Sequence, residues 1–505
     1  MAKAIESNKR LLLECEQELL HLSGAILPHG TLLVVDRAGH IRHVAENIAD
    51  WLAAAPASWL GEPLPKNIAA LLTSLADAPG SRLVVEAAIA ASPAAIQNVH
   101  GGDPKKLDLA ASRNQDGGIT LELIEHQTNS LPADSHSPRS SRLTSITDAA
   151  SLNAAQDELV RQISQITAFQ RVMLYQFRED GDGEVIAESR LDETYGSYLG
   201  LRFPGSDIPQ IARALYLKNP WRLIPDATAE PIKLLSHETQ PPDLTLTDLR
   251  SVSPVHRVYL ANMGVRASLS FPIVIGGTLS SLVACHHSHA FYPSRQQLDH
   301  AAQLTHDFII AMTTYQARHR TQLVDSLAHR FDHARTLLQQ HGDALSAWPE
   351  LGIWLMQEFN ADGATLCIAD AYSIAGAPLE PDALFRLDDW VTQRRGESIW
   401  TSDSVMRAIP DFPVSINAGA LAVRIPLRDK RTLRIYLTRL EHIHEVAWGG
   451  NPEKPVEHHD GKLGIAPRRS FEKWLEKRLG YSQPWDNESR LLALKLRELF
   501  VQEIR

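Results

Sequence analysis

Between residues 203 and 286 the chain gathers side chains that can do chemistry: Asp207, Arg222, Arg250, His256, Tyr259, Ser268, Ser270 and His286. Two arginines suit an anionic ligand with carboxylates, because the planar guanidinium fork matches carboxylate geometry. Tyr175, Phe203, Tyr259 and Met263 can supply an apolar wall, and a large, flat, acidic cofactor fits that mixture better than a small metabolite does. The same residues would equally serve as scattered surface arginines and satisfied core histidines. Asp207 and His256 have the types of an acid–base pair, but no nucleophile accompanies them. The chain has no Walker A loop, dinucleotide fingerprint, HExxH or Gly-x-Ser-x-Gly elbow. His329 and His333 stand four apart, a helical spacing for metal ligands, without a third ligand. The three cysteines, Cys15, Cys285 and Cys367, make neither a disulfide framework nor a zinc site. Cys15 lies between Glu14 and Glu16, which raise its pKa and discourage a general nucleophilic role.

The stretch FPGSDIPQIARALYLKNPWR, residues 203–222, must position much of this set. Pro204 and Gly205 mark a turn, Asp207 reads as the cap of a helix, and Pro209 falls in its first turn while biasing Ile208 away from helical dihedrals. Ile211, Leu215 and Leu217 are then expected to face the core.

Around that stretch the patterning divides the chain into three α+β domains with antiparallel sheets. Residues 1–30 form a polar arm. Residues 31–130 open with a hairpin, TLLVV-DRAG-HIRHV, and continue with short helices among strands. A Ser/Pro-rich linker covers 131–145. The second domain, 146–318, starts with a long helix near 146–165 and contains the stretch above. Apolar residues at three- and four-residue spacing, Leu304 to Leu338, predict one helix of about 40 residues as a connecting spine. The third domain, 319–485, holds a long polar segment, 446–485, that nevertheless carries Trp448, Phe471, Trp474 and Trp485; aromatics there argue for docking. A helix follows over 486–505.

Composition sets limits. Lys and Arg total 50 against 60 Asp and Glu, for a net charge of −10, which argues against a dominant nucleic-acid surface. No apolar run is long enough to span a membrane and no secretory leader is apparent, so a cytoplasmic location is expected.

Several long motifs in order resemble the bacterial phytochromes over essentially the whole chain: CEQELLHLSGAILPHG in the arm, PGSDIP (204–209), LRSVSPVHRVYLANMGV (249–265), ACHH (284–287), WGGNP (448–452) and PRRSF (467–471). The resemblance implies a PAS–GAF–PHY photosensory module. It implies a figure-of-eight knot in which the arm threads a GAF loop, a long helical spine, and a PHY "tongue" marked by Trp448, Pro467, Arg468, Ser470 and Phe471. It implies biliverdin, a linear tetrapyrrole, joined through a thioether to Cys15 rather than to a GAF cysteine. Asp207 would offer its backbone carbonyl to the pyrrole N–H groups, with Ile208 beside it in the pocket. His256 would stack near the pigment's centre and Met263 would join the apolar wall. Arg222 and Arg250 would hold the propionates, with Ser268 and Ser270 near the second. His286 would meet the D-ring carbonyl, in a pocket of Tyr175, Phe203 and Tyr259. Arg468 would pair with the side chain of Asp207. Light would rotate the D ring reversibly between red- and far-red-absorbing forms, and the tongue would refold. A homodimer through the spine, and an output domain such as a histidine kinase or a response regulator downstream, are the implied partners; no enzyme activity is expected of this chain. A light-insensitive GAF/PAS sensor and dimerisation module is the competing reading. Gln170 replaces the family's usual Asp, Ser280-Ser281 replaces Trp-Gly, and Leu201 leans towards a red-absorbing resting state.

Overall fold

The computed structural model describes residues 18–52, 54–87, 107–127, 143, 145–178, 180–192, 196–369, 371–377, 379–394, 396–427, 431–452, 456–459, 462–465 and 471–504. Cys15, Pro467, Arg468 and Ser470 lie outside the described residues. The chain forms two compact units, Met1–Tyr315 with Ala447–Trp474, and Gln316–Val446 with Leu475–Arg505.

In the first unit the strands are β1 (Ala25–Ile26), β2 (Gly30–Val35), β3 (Ile41–Ala45), β4 (Arg82–Ala87), β5 (Leu107–Arg113), β6 (Ile119–Glu125), β7 (Arg171–Phe177), β8 (Gly183–Arg190), β9 (Arg202–Phe203), β10 (Arg222–Ile224), β11 (Ile232–Ser236), β12 (Ala267–Ile275) and β13 (Thr278–His287). Its longer helices are α1 (Ala149–Thr167), α2 (Gln210–Tyr216) and α3 (Pro254–Asn262).

The N-terminal sheet runs β1-β11-β3-β2-β6-β5-β4. The expected hairpin is β2–β3, antiparallel with a register shift at Val34/Val35. Every residue of β2 is buried. Leu33 and Val35 enter the core with Ile41, Val44 and Leu121. Leu32 and Val34 pack on the other side with Ile26, Leu244 and Leu249. A strand covered on both faces reads as a continuous apolar run, as TLLVV does. The cover on the second face includes Leu244 and Leu249, from the segment after β11.

Six strands of the second sheet run in the order β10-β12-β13-β7-β8-β9. Helix α1 is capped by Asp148, whose side chain accepts from the Ser151 N–H in a reciprocal box. Leu159, Ile163, Phe169 and Phe271 fill the core beneath. Asp207 does not cap a helix: it closes a 3-10 turn, Gly205–Asp207, and Pro209 occupies the N-cap of α2 without a side-chain cap bond. The two prolines flanking the turn separate it from the helix. Leu217 is 48% exposed, because α2 has already ended at Tyr216.

Helix α4 (Arg295–Arg330) is followed by α5 (Asp332–His341). The single helix expected to about residue 340 therefore breaks at Phe331. That side chain is fully buried, edge-on to Trp354 at 5.1 Å; burying it in the second unit's core ends the straight run. The second unit continues with α6 (Ala344–Glu358), β14 (Gly363–Ile368), β15 (Ala371–Gly376), α7 (Pro381–Gln393), β16 (Ile399–Ser402), β17 (Asn417–Pro426), β18 (Thr432–Leu440) and α8 (Asn487–Glu503), its sheet running β15-β14-β18-β17-β16. Trp348 and Leu351 of α6 are buried with Ile435 and Leu437 of β18 and Leu496 and Phe500 of α8 in one core. Between β18 and α8 lie β19 (His444–Gly449), β20 (Val456–His459), β21 (Lys462–Ile465) and β22 (Lys473–Arg478). β20 and β21 pair antiparallel.

No helix among the described residues is long and apolar enough to cross a membrane.

Candidate functional site

The sheet register gathers one wall of the site. Arg222 pairs with Ser270 and Ile224 with Ser268; Ser268 then pairs with His286 and Ser270 with Ala284. Residues directly opposite on adjacent strands point to one face, so Arg222, Ser268, Ser270 and His286 converge although they are far apart in sequence. Helix α3 supplies the opposite side with His256, Tyr259 and, at its C-cap, Met263. All twelve pocket residues named from Tyr175 to His286 line a single cavity of about 250 Å³, joined there by Glu18 and Leu20 of the arm.

The Asp207 turn is fastened from outside the cavity. Arg213 of α2 donates from Nε to the Ile208 carbonyl at 2.8 Å and from Nη2 to Gly181 at 2.7 Å and Gly205 at 3.1 Å. The Gly205 N–H donates to Asp182 Oδ1 at 2.9 Å. Inside, the Tyr259 hydroxyl donates to Asp207 Oδ2 at 3.1 Å. Tyr259 also stacks on His256, with centroids 5.9 Å apart and planes 13° from parallel, and meets Phe471 edge-on at 5.2 Å. Trp448 pairs in parallel with Arg202. Gly449 lies under Phe203: a Cβ added there would stand 2.5 Å from the ring. A Cβ at Gly183 would stand 1.9 Å from the Tyr175 ring.

Arg222 and Arg250 are the electrostatic centre. Arg222 donates to the carbonyls of Asp248 at 3.0 Å, Ser251 at 3.3 Å, and Arg250. Arg250 is 6% exposed and donates to the carbonyls of Leu244 at 3.2 Å and Thr245 at 3.1 Å. Among the described residues neither forms an ion pair with a carboxylate. Burial, then the neighbouring charge of Arg250, pushes Arg222 down to about 9; burial also lowers Arg250. Two desolvated cations side by side favour a bound anion. The histidines respond in the same sense. Burial, with the Arg222 charge second, takes His256 down to about 4. Burial, then Arg171 and His256, takes His286 down to about 3. Both imidazoles are therefore neutral near pH 7. His286 Nδ1 is buried with no hydrogen-bond partner among the described residues, so the cavity presents a polar atom that a ligand can satisfy.

Sequence reasoning did not single out Arg213, which fixes the Asp207 turn, or Tyr198, whose ring lies under Arg171 at 4.0 Å and edge-on to Phe203 at 5.8 Å. Cys285 is fully buried on β13 and burial pushes its thiol up. Gln170 keeps an acceptor at its position: its Oε1 takes the Ser288 N–H at 2.8 Å. Leu201 is buried in the apolar cluster around Tyr175 and Phe203. Nothing in the structure explains Ser280-Ser281; Ser281 is buried within β13. His329 lies 3.8 Å from Asp332, and no group of three or more His, Cys, Asp or Glu among the described residues is placed to hold a metal ion.

Comparison with known proteins finds a PAS fold over residues 15–125, a GAF domain over 151–312 and the phytochrome region over 316–505. Cyanobacterial phytochrome B of Nostoc sp. is 32% identical over 97% of this chain and 66% of its own length. A bacteriophytochrome of Pseudomonas aeruginosa is 33% identical over 96% of this chain and 66% of its own. The chain thus spans about two thirds of these relatives. Among solved structures, the Stigmatella aurantiaca phytochrome photosensory core module superposes with a TM-score of 0.81 at 28% identity, covering 97% of both chains. A bacteriophytochrome from R. palustris gives 0.75 at 29% identity, over 97% of this chain and 99% of that one. With its PAS, GAF and phytochrome-specific regions in that order, the chain belongs to the phytochrome family, in its bacterial form.

Proposed function

We propose that this chain is the light-sensing part of a red/far-red photoreceptor, that it holds biliverdin in the cavity, and that Cys15 attaches the pigment through a thioether. The observation that carries this is the Arg222–Arg250 pair, two buried guanidinia tethered by backbone carbonyls at one end of an aromatic-walled cavity. A flat ligand bearing two carboxylates complements them. When bound, biliverdin would supply red absorption and a double bond that isomerises. The protein's part is to hold and to discriminate. Arg222 and Arg250 fix the acidic edge, with Ser268 and Ser270 beside them. Neutral His256 and the Asp207 backbone face the centre. His286 offers its buried nitrogen to the far ring, among Tyr175, Phe203 and Tyr259. Glu18 lines the cavity and accepts from the Ser253 hydroxyl at 2.8 Å, and Cys15 precedes it by three positions in the sequence.

The domain boundaries at 31–130, 146–318 and 319–485 belong to this proposal, as does the threading of the arm through the GAF loop. Supporting the threading, Gly24 accepts from Leu234, His21 from Leu244 and Ala25 from Ser251, while Leu27 donates to Leu249. Segment 446–485 is proposed as the tongue, refolding between hairpin and helix as Arg468 gains or loses Asp207. Its contacts to Phe203 and Tyr259 put it against the pocket's own rings. The signal would pass through a homodimer to an output domain such as a histidine kinase.

The test is pigment loading. Chain mixed with biliverdin should develop a red band and show zinc-dependent fluorescence on a denaturing gel. Cys15→Ala should keep the band and lose the gel fluorescence. Absence of a red band in the native chain would leave a light-insensitive small-molecule sensor; retained covalent pigment in Cys15→Ala would mean another attachment site.

A further inference from the structure

The anion clamp is held on a loop, and the loop is held by the N-terminal sheet. Residues 244–251 carry Arg250, and through their carbonyls they also hold Arg222. Glu122 of β6, 1% exposed, reaches this loop from 127 residues away: its Oε1 accepts from the Leu249 N–H at 2.8 Å, and the Asp248 N–H also faces it. Arg82 of β4 pairs with the Asp248 carboxylate, while Arg295 of α4 approaches the same carboxylate at 3.8 Å. The loop is also anchored by backbone bonds to the arm, from Leu27 and to His21 and Ala25, and by Asn219, whose Nδ2 donates to the Thr245 carbonyl at 2.8 Å. Gly30 lies close beneath: a Cβ there would meet the Leu249 side chain at 2.7 Å.

We infer that Glu122, with Arg82, is a positioning residue for anion binding, holding the 248–251 loop so that Arg222 and Arg250 face the cavity. The chemistry explains why a buried carboxyl group, with an oxygen that can accept, is placed there. An apolar residue would leave the Leu249 N–H buried without an acceptor, which costs about as much as a lost hydrogen bond. The loop would then relax, and the carbonyls that hold Arg222 would move with it. The charges facing Glu122 are Arg82 and Asp248, with Arg222, Arg250 and Arg295 beyond them.

This inference rests on the proposed pigment site, and its test separates the two. Biliverdin and its dimethyl ester have the same ring system, but the ester lacks both carboxylates. For each pigment, the rate of red-band growth is measured against pigment concentration, and the half-saturating concentration reports the reversible step before attachment. Failure of the native chain to bind either pigment would sink the pigment proposal itself. If the native chain binds, Glu122→Met should raise the half-saturating concentration for biliverdin about tenfold, the scale of one buried hydrogen bond, and leave that for the ester within about twofold. Glu122→Gln keeps the acceptor and should stay near native for both. Arg82→Gln reaches the same loop from β4 and should repeat the Glu122→Met pattern if that variant does not fold. Equal weakening of both pigments would assign these residues to general stability and overturn the inference, as would no change for either.

Discussion

Arg222 contacts three carbonyl oxygens through one planar group. Arg222→Lys keeps the charge but cannot span them, so pigment affinity should fall and the ligand-free chain should lose about 1–3 kcal/mol, measured by denaturant unfolding. The buried histidines give a pH dependence of definite sign. His29 and His256 are lowered to about 4 and His286 to about 3, with burial the first cause in each. Below about pH 6.5 the unfolded chain takes up protons that the folded chain refuses. Stability from these groups is therefore full above about pH 6.5 and falls as the pH drops towards the folded-state values. Glu122 acts oppositely, because burial and Asp248 hold its carboxyl well above the usual range. Three histidines outweigh one carboxyl, so the melting temperature of ligand-free chain should fall from about pH 6.5 to about pH 4; a flat profile would contradict the burial of these imidazoles. The residue types of this site were readable in the sequence, but their surroundings were not. Nothing local to Arg222 tells a surface cation from a buried one, and nothing near Glu122 points to Leu249.

At the scale of elements, two rings rest on two glycines. Gly183 pairs with Phe203 across β8 and β9, Tyr175 covers Gly183, and Phe203 covers Gly449. Gly183→Ala should displace Tyr175 and cost about 1–3 kcal/mol by overpacking; a red band and photoconversion identical to native would show that Tyr175 has room to spare. Gly449→Ala should loosen 447–474 against Phe203, seen as faster proteolysis of that segment. In the second unit, Arg439 donates to the carbonyls of Phe359, Asn360, Gln483 and Pro484 and lies over Trp485 at 3.8 Å. It ties the end of β18 to the approach of α8. Arg439→Met should cost at least about 2 kcal/mol, read from the unfolding transition. Strands were legible because their apolar period is local, as in TLLVV, whereas the helix expected from about residue 146 starts only after its Asp148 cap. The turn at Asp207 reads as a helix cap in sequence, since Asp before a helical pattern is the usual cap signal and only the second proline moves the helix start to Gln210. The break at Phe331 was equally hidden, because the apolar spacing continues through it while the burial that ends the helix comes from distant residues such as Trp354.

For the molecule as a whole, the order of PAS, GAF and phytochrome regions could be read from long motifs, and the fold comparison agrees with that order. Leu201 places an apolar side chain next to the Tyr175–Phe203 cluster, and dark-adapted chain loaded with biliverdin should accordingly rest in a red-absorbing form; a far-red maximum in the dark would contradict this. The most direct test of the central claim is a difference spectrum of the biliverdin-loaded chain after red and then far-red illumination. Red light should deplete the red band and raise a far-red one, and far-red light should reverse the change. A bound pigment whose spectrum does not change under either light would contradict the account.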